Sequence, residues 1–432
     1  VCERPTALEL NDRSPLSCIP KRGSVSEQRC RLLVVKAAMN VNGGAARDLM
    51  RNLPSIAEHF EVRFACLNLL DSQRQSLLSN GIQILEPFYQ WEPGGGLLNE
   101  ITSGQERSAA AAWKEHESAQ AAIEWADAIH LTGGNGSMEF PPFVPADKPL
   151  HLHFLESKPG IHDSVSHLNP DGSGGWRPGL MHLLQSRQRA RIEKSFRGFG
   201  ENQNWSVSAN SEFSAQNLHR IYGIKGGVLY PSVDLTEFSR EPSFGEGSVF
   251  ETMGLGDVGS YAVTVGRISR FKGIYEAVEH LVGSGLELVV IGGGKESDNA
   301  ALRGYGDSLG VTVRVLSGID SELMRAVMRN SAAIIGLAHG EAFGLTPIEA
   351  MALGAPPVFV NEGGYTETIV DQLNGRLVER GDIEAWRRAL EQARDPGTRE
   401  RWARKGLDRI EELGLTPESH AERLHSIING EV

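Results

Sequence analysis

From Arg31 onward, short apolar runs alternate with longer stretches of helical period. RLLVVKAA (31–38) is an apolar run with polar flanks, which predicts a buried strand. The Gly-Gly of NVNGGAARDLMRNLP (40–54) then predicts a loop leading into a helix. VRFACLNLL (62–70), GIQILEP (81–87), ADAIHLTGG (126–134), KPLHLHFLES (148–157) and NWSVSANS (204–211) read as further strands. Two long helical stretches lie among them, at 108–126 and 180–199, with a Gly/Pro/His-rich loop from about Lys158 to Pro178. Residues Ser239 to Ser260 lose this periodicity and turn rich in glycine, serine and acids. Strand and helix then resume: strands at 261–268, 286–294, 311–319, 331–338 and 356–361, helices at 273–283, 322–331 and 347–354. Ile274, Val278 and Leu281 fall on one helical face, as core packing requires.

Alternation of this kind implies parallel sheets covered by helices on both faces. The expected fold is α/β, with two Rossmann-like doubly wound domains facing across a cleft. The expected divisions are a polar extension at 1–30, an N-terminal domain at 31–238, a second domain at 239–410 and a terminal helix at 411–432. A length of 432 residues supports this division, being too long for a single ordinary core.

Composition narrows the function classes. A net charge of −12 argues against a general nucleic-acid binder. No apolar run approaches the roughly 20 residues of a membrane span. The basic run RQRARIEK reads as a solvated helix face, with weak peripheral membrane contact as the alternative. Cys2, Cys18, Cys30 and Cys66 form no C-x-x-C pair and no zinc spacing, so reduced thiols and a cytoplasmic location are expected, with no metal. The first 30 residues lack the apolar segment of an export signal.

Polar clusters gather where strands end. EAFGLTPIE (341–349) carries two glutamates eight positions apart. Gly344 permits a tight turn, and Thr346 and Pro347 read as the cap and first residue of a helix. The N-terminus of that helix suits a phosphate, with Glu341 and Glu349 as acceptors for sugar hydroxyls. The alternative is a capping box, with Thr346 and Glu349 satisfying the helix's own N–H groups. Arg267 and Lys272 in VGRISRFKG offer a fork of donors and a point charge, a pair suited to a diphosphate. Gly43-Gly44 admits a phosphate beside the backbone, or is a plain tight turn. In EGGYTET, Gly363 and Gly364 follow a strand, and Glu367 sits in the next helix's first turn. His151 and His153 share a strand face, and His130 ends the preceding strand.

In this order, these residues resemble the retaining glycosyltransferases of family four, which have the GT-B architecture. The resemblance runs from about Arg31 to Val378 and rests on SANSEF, YPSVDLTEF, VGRISRFKG and the stretch GEAFGLTPIEAMALGAPPVFVNEGGYTETI with its E-x7-E motif. It implies transfer of a sugar from a UDP- or GDP-linked donor to a hydroxyl on a glycan, a lipid-linked carrier or a small polyol, with configuration retained and no cofactor or metal. Arg267 and Lys272 would hold the diphosphate. Glu341 would bind the sugar with the N–H groups of Phe343 and Gly344, beside Leu345 and Thr346. Glu349 would hold the ribose, with Gly43, Gly44, Gly363, Gly364 and Glu367 lining the donor pocket. The resemblance further implies a histidine near the acceptor: His153 first, His130 second, with Thr132 standing where some members have a second histidine. The alternatives are a GT-B sugar-nucleotide epimerase or hydrolase, or an inactive sugar-nucleotide-binding protein.

Overall fold

The computed structural model describes residues 29–39, 43–94, 102–158, 160–163, 165–174, 177–241, 255 and 259–431. The expected extension, apart from its last two residues, and most of the expected linker lie outside them.

Two parallel sheets form the molecule. The N-terminal sheet holds β1 (Arg31–Val35), β2 (Glu61–Ala65), β3 (Gln83–Leu85), β4 (Ala128–Thr132), β5 (Leu150–Phe154), β6 (Trp205–Ala209) and β7 (Gly227–Val228), in the order β3-β2-β1-β4-β5-β6-β7. The C-terminal sheet holds β8 (Tyr261–Arg267), β9 (Glu287–Gly293), β10 (Val313–Leu316), β11 (Ala333–Gly336), β12 (Pro357–Val360) and β13 (Arg376–Val378), in the order β10-β9-β8-β11-β12-β13. Apolar runs such as LLVV and LVVI are buried, as strands sandwiched between helix layers must be. In each sheet the order reverses beside the first strand, between β1 and β4 and between β8 and β11. Ligands of such sheets bind beyond the carboxyl ends of the strands at that reversal.

Four helices position the cleft. α1 (Gly44–His59) follows β1, α2 (Glu212–Tyr222) follows β6, α3 (Leu345–Leu353) follows β11, and α4 (Pro417–Ile428) closes the chain. The helix expected at 108–126 is broken in two at His116, whose ring accepts from the Ala119 N–H and caps the second piece. The helix expected at 180–199 likewise divides at Gln185. A helix that the sequence reading did not assign, Glu296–Ser308, follows β9.

The chain crosses between lobes twice. Leu229 is packed in the N-terminal core and Val233 in the C-terminal core. The return passes from Leu415, in the C-terminal core, to Ala421, in the N-terminal one. The Val233 N–H donates to the Leu415 carbonyl at 2.9 Å, so the two crossings lie side by side. α4 shares the buried cluster of α1, with Ala421, Leu424 and Ile428 joining Leu53 and Ile56. Each such leucine contributes about 2 kcal/mol by leaving water. No described helix is long and apolar enough to cross a membrane.

Candidate functional site

The C-terminal side of the cleft begins where β8 ends. Arg267 is the last residue of the strand and is exposed. Gly266 clears the way for Lys272, whose stem would lie 3.3 Å from any Cβ there. Gly273 has φ 64°, and a Cβ on it would meet the Leu337 carbonyl at 2.2 Å, so only glycine fits. This turn carries the Lys272 Nζ to within 2.6 Å of Glu341 Oε2. Burial disfavours the Lys272 ammonium, but the Glu341 carboxylate outweighs it and its pKa rises. The loop bearing Glu341 is anchored from behind. Glu276 accepts from His339 at 3.0 Å and Arg380 at 2.8 Å and pairs with Arg270 at 2.7 Å, while Arg380 donates to the Leu337 carbonyl at 2.8 Å. Sequence reading missed this hub, because its members come from three separate stretches of the chain.

α3 starts two residues earlier than expected and is capped differently. Gly344 is the N-cap, at φ 84°, and no side chain caps the helix; Thr346 and Pro347 lie inside its first turn. Neither the Thr346 cap nor the capping box forms, so the first N–H groups of α3 are left to other partners. Phe343 is buried beside Tyr230, with ring centroids 5.6 Å apart. Gly363 and Gly364, expected along the donor pocket, press on the protein's own backbone. A Cβ on Gly364 would stand 2.5 Å from the Ala342 carbonyl, and one on Gly363 would stand 2.6 Å from the Glu341 carbonyl. They brace the loop that presents Glu341.

Across the cleft, Gly43 caps α1 with no side-chain hydrogen bond. A Cβ on Gly44 would lie 3.1 Å from Leu345 Cδ1, so the N-termini of α1 and α3 abut. Both present their positive ends to one region. Glu349, expected at the ribose, is only 1% exposed and faces two cations of α1: Arg47 at 3.6 Å and Arg51 at 3.7 Å. Arg51 also donates to the Ser232 carbonyl at 2.5 Å and pairs with Glu237 at 3.5 Å. Glu349 Oε1 and the Nε atoms of Arg47 and Arg51 are buried without a hydrogen bond. This is a close ionic contact across the lobes rather than a saturated network. Neither arginine stands out in the sequence, since their partner lies some 300 residues away.

Three further expected site residues have partners within the protein. Glu367 accepts from the Glu212 N–H at 2.9 Å, the Phe213 N–H at 2.8 Å and the Tyr230 hydroxyl at 3.2 Å. A carboxylate that caps α2 from the opposite lobe is committed to joining the lobes. His153 is 2% exposed, and its Nε2–H donates to the Leu229 carbonyl at 2.9 Å. His130 is equally buried, with its Nδ1 2.9 Å from that of His151. With His420, whose Nδ1 lies 2.7 Å from the Tyr230 carbonyl, these rings form a buried cluster. Burial lowers the pKa of all four. All four lie buried in the N-terminal lobe.

The cleft itself opens into a cavity of about 170 Å³ between the lobes. Phe154, Glu156 and Asp163 line it from the N-terminal side, and Phe271, His339 and Ala342 from the other. Glu156 stands two residues beyond β5, within electrostatic reach of Lys272, Glu341 and Arg267. Beneath this side Lys36 is buried, with its Nζ donating to the Gly133 carbonyl at 2.9 Å. Burial draws its pKa down to about 8.

Comparison with known proteins bears on the fold. Residues 255–409 match a family model described as "Glycosyl transferases group 1". The chain is 30% identical over 260 residues to a D-inositol 3-phosphate glycosyltransferase of Xylanimonas cellulosilytica, covering 52% of this chain and 62% of the relative. It therefore spans less than two thirds of that relative's length. A crystal structure of Anabaena HepE in complex with UDP-glucose superposes with a TM-score of 0.63 at 15% identity, covering 91% of this chain and 98% of the other. Sucrose-phosphate synthase from Thermosynechococcus elongatus gives 0.65 at 16%, covering 92% and 98%. The fold is GT-B, and its C-terminal lobe is similar to group 1 glycosyl transferases.

Proposed function

We propose that the protein is a retaining glycosyltransferase, moving a sugar from a nucleotide diphosphate sugar to a hydroxyl acceptor. One observation carries the reading: the Lys272–Glu341 pair, 2.6 Å apart, stands beside the uncapped N-terminus of α3 and opposite that of α1. A departing nucleotide diphosphate gathers negative charge. Lys272, Arg267 and the two helix ends are fixed positive groups that stabilise it without reorganising. Glu341, held by Lys272, accepts from hydroxyls of the transferred sugar, and the N–H groups of Phe343 and Gly344 donate to its oxygens. Glu349 takes the ribose once Arg47 turns from it toward the phosphates. The reaction needs no metal in this scheme, because the leaving charge falls to these groups.

The Anabaena neighbour holds UDP-glucose, which makes that compound the first donor to test. The relative's name makes a phosphorylated polyol the first acceptor. Calorimetry with UDP-glucose and with GDP-mannose is the direct check. Saturable binding of one of them is the expected outcome, and binding of neither would remove the basis of the proposal.

A further inference from the structure

His130 and His153 are buried in the N-terminal lobe, and other groups line the cavity of the cleft. The titratable residues lining the cavity are Glu156, His162, Asp163, Arg220 and His339. Most are committed elsewhere. Asp163 accepts from the Gly160 N–H at 2.7 Å and the Ser166 N–H at 2.9 Å, which fixes its own loop. His339 is bonded to Glu276. His162 lies 3.4 Å from the Tyr222 hydroxyl, and Arg220 donates to Asn217 on its own helix. Glu156 differs from these: no hydrogen bond ties its carboxyl to a described residue. It sits beyond the carboxyl end of β5, next to the sheet reversal, where this fold places its ligands. From there it lies within electrostatic reach of Lys272 and Arg267, the cations proposed for the leaving group.

We propose that Glu156 is a catalytic carboxylate of the acceptor side, taking the proton of the acceptor hydroxyl as that oxygen bonds to the anomeric carbon. This rests on the transfer reading above. The acceptor O–H bond breaks and its proton goes to Glu156. The acceptor oxygen bonds to the anomeric carbon, and the bond from that carbon to the diphosphate oxygen breaks with both electrons leaving on the diphosphate. Glu156 then returns the proton to the departing diphosphate or to cleft water. Retention requires attack and departure on one face of the sugar. A base beside the cations that hold the leaving group meets that requirement, whereas one across the sugar would not. The electrostatics agree. Crowding by protein, then Glu341 and Asp163, push the carboxyl up, while Lys272 and Arg267 pull it down, and it settles at about 7. Its exposure to cleft water tempers the first of these effects. A base near neutral affinity is well matched to work at neutral pH.

The test compares wild type with E156Q, using UDP-glucose and GDP-mannose and reading nucleotide release to water, which stands in for the acceptor, from about pH 5 to 9. The expected result is a loss of about 100-fold in rate for E156Q, loss of the wild type's acidic limb, and unchanged UDP or GDP affinity. E156D, which keeps a shorter carboxylate, recovers part of the rate and restores the limb. It carries the test should E156Q melt early. A wild type that cleaves donor while E156Q keeps both rate and profile overturns the role of Glu156 and leaves the departing diphosphate as the base. A wild type that neither binds nor cleaves either donor overturns the transfer reading itself.

Discussion

Lys272 and Glu341 illustrate what single residues contribute. Their 2.6 Å contact holds a cation and an acceptor in place before any ligand arrives. Both side chains are partly open to the cleft, at 33% and 18%. Truncating either therefore removes function more than stability. Lys272→Ala is expected to lower turnover by about 100-fold or more, as loss of a preorganised cation does. Its melting temperature should stay close to wild type; near-normal turnover would exclude the assigned role. Arg267, Lys272 and Glu341 could be singled out in the sequence because their types and order suit a diphosphate and a sugar. Alternation along β5 gives the face on which His151 and His153 lie but not their distance from the strand's end. His153 lies within the strand, and Glu156 two residues beyond it. That offset separates a core imidazole from a cleft carboxylate.

Elements were easier to read than their junctions. The apolar runs of both sheets are strong signals, and they became strands within a few residues of the expected bounds. The break at His116 escaped notice because alanine-rich sequence on both sides favours a continuous helix, while the His116 cap depends on side-chain geometry. The glycine pair at 363–364 could not be interpreted locally, since what it touches is the backbone of residues 341–343. That contact makes a specific demand. Gly364→Ala would drive a methyl to 2.5 Å from both the Ala342 carbonyl and Phe343 Cα. The loop must shift, at a cost of about 1–3 kcal/mol. A lower melting temperature with weakened donor binding is the expected outcome; unchanged values would show that the loop is not rigidly braced.

The whole molecule carries a pH signature that no short segment reveals. His130, His151, His153 and His420 come from three elements, and burial holds each below its ordinary pKa of 6.5, His151 at about 3. Above pH 6.5 both folded and unfolded chains keep these rings neutral, so the cluster adds no pH dependence there. Below it the unfolded chain gains protons that the folded chain refuses, and stability falls as the pH drops toward the folded values. Each refused proton is worth about 1.4 kcal/mol per pH unit. Glu139 and Glu156, both raised chiefly by burial to about 7, oppose this from pH 7 downward, but they are two groups against four. Urea midpoints should therefore decline between pH 6.5 and 5, and replacing His151 with Gln should flatten the decline. The division into two lobes was legible from the break in periodicity. The return of α4 to the first lobe rests on contacts with α1, far away in the sequence, which no local pattern encodes.

That return makes the connection between the lobes double. Two strands of chain cross together, tied at Val233 and Leu415. A single tether permits swivelling in any direction, but two pinned side by side act like the knuckles of a door. Any rotation of one lobe against the other is therefore expected about the line through the two crossings rather than in every direction.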